Sequence, residues 1–139
     1  MKVLFDTNVV LDALLDREPF ASSAILLFAK VELGELQGYL CATTVTTTYY
    51  LAAKVNGHES ATEMVGKLLA IFDVAPVNRY VLEDALAQRS SDFEDAVLYA
   101  SARLVGADAI VTRDQTGFRA AEMPILSPPE LLHLLRVME

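Results

Sequence analysis

The chain has 139 residues, 53% of them hydrophobic, and a net charge of −8, with a pI near 4.7 and a mean hydropathy of +0.34. That length predicts one domain over residues 1–139, large enough to need no disulfide; the lone Cys41 excludes an internal one and points to the cytoplasm. No apolar run approaches the ~20 residues that cross a bilayer, Met1–Asp6 reaches an acid too early for a signal peptide, and singly scattered basic residues argue against a broad nucleic-acid surface, leaving a carboxylate metal site or a basic partner.

Lys2–Asp6 is an apolar run ending in an acid and predicts a buried strand. Thr7–Asp16 then turns helical, and Pro19 opens a second helix through about Glu35, ended by Gly34 and Gly38. Tyr39–Ala42 reads as a second strand. Thr43 or Thr44 can cap a helix to about Val55, closed by Asn56-Gly57. Glu59–Phe72 is a helix, Asp73–Val77 a third strand, and Arg79–Arg89 and Asp92–Val105 are helices. Ala109–Thr112 is a fourth strand, Pro124–Leu126 a short fifth, and Pro128-Pro129 start a terminal helix. Strands separated by helices predict parallel pairing, hence an α/β fold: a three-layer α/β/α sandwich around a central parallel sheet of about five strands. Ligands in such sheets bind outside the carboxyl ends of the strands, where Asp6 and Asp114 both fall.

Each acid also has an ordinary reading. Asp6 precedes an apolar-periodic segment and could simply cap its helix. Asp114 could be a turn residue in Arg113–Gly117. Ser91 and Glu94 form an S-x-x-E capping box, and Asp92 suits a helix N-terminus. Asp95, however, borders the apolar stripe of Phe93, Ala96, Val97, Ala100 and Leu104, which places it near the sheet. Carboxylates gathered about 5 Å apart repel by roughly 3 kcal/mol per pair at an effective dielectric of 20, so a cluster of Asp6, Asp95 and Asp114 needs a cation. Oxygen donors alone select Mg²⁺ or Mn²⁺; His58 and His133 lack ligand spacing and read as surface residues. A phosphotransferase with Asp6 as nucleophile is a rival, but it wants a second acid where Asn8 stands and a downstream lysine, and none follows Lys67.

The segments Phe5–Asp12 (FDTNVVLD), Thr44–Leu51 (TVTTTYYL), Asp92–Ala96 (DFEDA) and Ile110–Asp114 (IVTRD), in that order, resemble a PIN domain, a fold of metal-dependent ribonucleases that includes VapC-type toxins. The resemblance covers nearly the whole chain. It implies a central parallel sheet, a Mg²⁺ or Mn²⁺ site and hydrolysis of RNA phosphodiesters, with Asp6, Asp95 and Asp114 as metal ligands and Asn8 as their polar partner. It also implies an antitoxin protein as partner, and together with the apolar composition a homodimer through 59–72 or 21–33. Thr47 departs from the pattern, standing where the family usually carries Glu; Asp92 or Asp12 could supply the missing charge. If neither does, the chain is a catalytically impaired PIN-like module that binds nucleic acid or a partner. Arg113 is the nearest cation for a phosphate, or else a surface ion pair. Tyr49 and Tyr50 either stack on a base or belong to the core.

Overall fold

Val3, Leu4 and Phe5 have no exposed surface, as expected of a strand covered on both faces. They form β1 (Lys2–Phe5), the middle strand of the sheet in the computed structural model, which describes Met1–Glu139. After β1 come α1 (Thr7–Leu14), α2 (Ala21–Glu32), β2 (Gln37–Cys41), α3 (Ala42–Asn56), α4 (His58–Ile71), β3 (Asp73–Ala75), α5 (Arg79–Ala87), α6 (Phe93–Leu104), β4 (Ala109–Val111), β5 (Ile125–Leu126) and α7 (Pro128–Val137). The five strands lie in the order β3-β2-β1-β4-β5, all parallel, with Phe5 registered against Leu40 on one side and Val111 on the other. The predicted three-layer architecture is what the chain adopts.

Period-two alternation divides the core. Val3, Phe5, Leu40 and Val111 face one layer, where α1, α2, α4 and α7 contribute Val9, Leu27, Leu68 and Leu131. Leu4, Cys41 and Ile110 face the other, against Val81 and Ala85 of α5 and Val97 and Ala100 of α6. On the first side Phe5, Phe28 and Phe72 meet edge to face, with centroids 5.0–6.0 Å apart. Gly38 makes room for them: a Cβ there would lie 2.6 Å from the Phe72 ring.

Two local expectations need correction. α3 is capped by the backbone at Cys41, without a side-chain bond from Thr43 or Thr44. Asp92, rather than Ser91, caps α6, accepting the Asp95 N–H at 3.1 Å; it stands one residue closer to the amides that need an acceptor. Within the loop after β4, Thr116–Phe118 forms a 3₁₀ turn because Phe118 is drawn into the second core layer. No helix is long and apolar enough to cross a membrane.

Candidate functional site

Asp6 leaves β1 at its carboxyl end and begins α1 as its N-cap. Its carboxylate accepts the Thr7 N–H at 2.7 Å and the Thr112 hydroxyl at 2.7 Å, and it is only 9% exposed. Burial pushes the carboxyl above its ordinary range; the bonds from Thr112 and Thr7 pull the other way, and the charges of Glu94 and Asp92 add to the rise. Asp95, in the first turn of α6, is half-buried. Burial first, then the Asp6 charge, then Asp92, push its carboxyl up to about 7. The Asp6 charge thus opposes ionisation of Asp95, as like charges held close do.

The rest of the predicted set is placed differently. Asp114 stands at the same sheet edge but turns into its own loop, where it accepts the Thr116 hydroxyl at 2.5 Å and the Thr116 N–H at 3.1 Å. Those two bonds hold its carboxyl below the usual range, with no contribution from the other acids. What abuts Asp95 from this loop is Gly117: a Cβ there would fall 1.7 Å from Asp95 Oδ2. As the side chains stand, no three His, Cys, Asp or Glu residues are grouped to share one metal ion. Asp92 is exposed and occupied as the α6 cap.

Asn8 does not reach a carboxylate. Its amide donates to Thr112 Oγ1 at 3.4 Å and its carbonyl accepts the Arg113 N–H at 3.4 Å, so it bears on Asp6 through Thr112. Thr112, fully buried, is the residue the motif reading missed: it bonds Asp6 while also accepting the Asp114 N–H at 3.1 Å. The only signal for it was a hydroxyl at the end of a strand that precedes an acid.

Asp12 does not replace the absent glutamate. It is 1% exposed and takes a two-point contact from Arg113, 2.5 Å to Nε and 3.2 Å to the terminal nitrogen, with Arg17 at 4.0 Å. Arg113 also lies over the Phe20 ring at 4.0 Å. Arg113 is therefore neither free for a phosphate nor part of a loose surface pair; it locks the β4 loop to α1.

Thr47 is half-buried on α3. One turn earlier Thr44 shares a hydrogen bond with Thr7 at 2.9 Å, and Thr48, next to Thr47, buries a hydroxyl without a partner. Tyr50 is 66% exposed rather than core; Tyr49 packs edge-on to it and bonds His58 at 3.2 Å.

The donor set suits a hard divalent ion: oxygen ligands only, with two carboxylates whose mutual repulsion and burial a cation would relieve. Asp6 and Asp95 would hold it, with Asp114 available from the adjoining loop once released from Thr116.

A family model described as PIN domain matches residues 2–116. By sequence, no curated protein matches the chain. Among solved structures, FitAcB from Neisseria gonorrhoeae is similar with a TM-score of 0.70 and 21% identity, over 91% of this chain and 97% of that one. VapC20 from Mycobacterium tuberculosis, described as a Sarcin-Ricin loop cleaving toxin, gives 0.67 and 18%, over 85% and 94%. A toxin-antitoxin complex from Klebsiella pneumoniae gives 0.67 and 23%, over 91% and 97%. At these identities the likeness is one of fold.

Proposed function

This chain belongs to the PIN domain family, and from that premise we propose that residues 1–139, acting as one domain, are an endoribonuclease dependent on Mg²⁺ or Mn²⁺. The observation that carries the proposal is the Asp6–Asp95 pair. Two carboxyls pushed up by burial and by neighbouring acids stand beyond the carboxyl end of a parallel sheet, where a structural role alone would favour fewer charges. A divalent ion bound there supplies charge neutralisation for a phosphodiester and acidifies water.

The chain's own groups do the rest. Thr112 donates to Asp6 Oδ2 and so presents the Asp6 carboxylate in one orientation, while Asn8 holds Thr112. Asp95, whose carboxyl burial and the Asp6 charge push up to about 7 without a cation, would be kept ionised by a bound divalent ion and so would serve as its second oxygen ligand. Gly117, lacking a Cβ, lets the loop after β4 approach the Asp95 carboxylate closely. Asp114 joins as third acid when its bonds to Thr116 open.

We further propose a toxin role with an antitoxin protein as partner, in the cytoplasm. The fold likeness to toxins solved within such pairs supports it: one neighbour is a toxin-antitoxin complex, and another is FitAB bound to a DNA fragment. The phosphotransferase alternative falls with the family assignment. The impaired binding module keeps one observation in its favour, a threonine at position 47 with no third acid beside the pair.

Incubation of purified protein with single-stranded RNA separates the two. Slow cleavage in Mn²⁺ that disappears in Asp95→Asn is expected, and Thr47→Glu should raise both metal affinity and rate, since a restored charge at a partly solvated site contributes about 1–3 kcal/mol. No cleavage by wild type or Thr47→Glu, with Mn²⁺ bound to both, would leave the binding module as the function.

A further inference from the structure

A protein of net charge −8 repels RNA at long range, so any strand it holds must be held by local donors. The arginines show where such donors remain. Of the seven in the chain, Arg17, Arg79, Arg103 and Arg113 are each engaged by a carboxylate. Of the three that are not, Arg89 and Arg119 line a single cleft of about 290 Å³, and the same cleft is lined by Asp95. It lies between the α5–α6 turn and the loop after β4, and Tyr99 and Phe118, both nearly buried, form its apolar part.

The other polar groups in the cleft are occupied or are donors. Gln88 donates to the Ala96 carbonyl at 3.0 Å, Thr116 donates to Asp114, and the Tyr99 hydroxyl accepts the Glu122 N–H at 2.9 Å. Ser90 accepts the Asp92 N–H at 3.1 Å. The two guanidinium groups and the Ser91 hydroxyl stay uncommitted, although Asp95 lines the same cleft. Arg89 also adopts a left-handed backbone, φ 51°, which Asn or Gly would take at less cost. Turn geometry therefore does not call for an arginine at this position.

We propose that this cleft is a phosphate subsite for a single RNA strand, in which Arg89 and Arg119 clamp the backbone phosphate next to the one presented to Asp6 and Asp95. Guanidinium groups match phosphate oxygens with two-point contacts that a lysine cannot reproduce. The clamp offsets the repulsion that the acids exert on the strand. It rests on the ribonuclease reading for the position of the reacting phosphate, but its binding is measurable without cleavage.

The test uses the Asp95→Asn protein in EDTA with a short fluorescein-labelled single-stranded oligoribonucleotide, its anisotropy followed across a salt series. Arg89→Asn, which suits the backbone there, and Arg119→Gln should each weaken binding by about tenfold. Each should also lower the slope of log K against log salt by about 0.7, the value for one phosphate contact on a single strand. Arg136→Gln, the remaining unpaired arginine on α7, should change neither. In the otherwise native protein the two variants should raise KM with kcat held. Unchanged slopes and KM in both variants, or no binding by the Asp95→Asn protein at low salt, overturn the subsite. If wild type cleaves in that case, the nuclease reading survives alone. If wild type never cleaves but the slopes fall, the subsite stands and the nuclease reading fails.

Discussion

Asp95 ties the chemistry of the site to the stability of the fold. Its carboxyl is raised from 3.8 to about 7 by burial and by the charges of Asp6 and Asp92. Between those two values the folded protein binds more protons than the unfolded chain, so stability is fully present below the unfolded value and falls as pH rises towards 7. Asp6, also raised, acts with the same sign. In metal-free protein the thermal midpoint should therefore decline from about pH 4 to about pH 7, and Asp95→Asn should flatten that decline. A variant whose midpoint follows wild type over the window would show that Asp95 is not held against its charge. Asp6 was legible as a candidate because its signal is local, an acid closing an apolar strand. Its partner Thr112 was not, since it lies 106 residues away and no periodicity links them.

At the scale of elements, two devices hold the loop after β4 against the rest of the site. The first is the Arg113–Asp12 pair, which joins that loop to α1. Arg113→Met strands a carboxylate that is 1% exposed and should destabilise by about 2–3 kcal/mol, the low end for a broken buried pair because Arg113 is partly solvated. Adding Asp12→Leu should recover most of that loss; urea midpoints of the two singles and the double give the coupling directly, and additive losses would mean the pair is not coupled. The second device is Gly117. Gly117→Ala would place a methyl 1.7 Å from Asp95 Oδ2, and the carboxylate or the loop must move. Calorimetry should then show Mn²⁺ binding weakened about tenfold or more, with little change in thermal midpoint. Unaltered Mn²⁺ affinity would remove Asp95 from the proposed metal site. Sequence reading treated Gly117 only as part of a polar loop, because a close approach between two segments has no signature in either one.

Across the whole molecule, apolar side chains remain outside the two core layers. Ile25 and Leu26 of α2, Leu33 just past its end and Leu69 of α4 are between 47% and 72% exposed. A groove of about 680 Å³ runs between these helices, lined by Leu14, Phe28, Met64 and Leu68 among others. An apolar patch of this kind on a small domain favours association, and these are the helices expected to pair two copies. Light scattering at micromolar concentration should give about twice 15.2 kDa, and Ile25→Glu with Leu69→Glu should halve it. A mass of one chain in the unmodified protein would assign the groove to another occupant.

The order of strands and helices, the parallel sheet and the sheet edge at which Asp6 and Asp114 stand were determined by the sequence alone. Each follows from local periodicity, from turn residues such as Asn56-Gly57 and from the handedness of crossovers. The tertiary structure decided which side chains meet. Periodicity gives a residue its face and a strand end gives it an edge, but neither gives it a partner. Packing β1 beside β4 brought Thr112 to Asp6 and Arg113 to Asp12. The bonds of Thr116 turned Asp114 away from the acids it was expected to join. Arg89 and Arg119, ordinary charges in the sequence, became neighbours of Asp95 only because the α5–α6 turn and the β4 loop close over the same cleft.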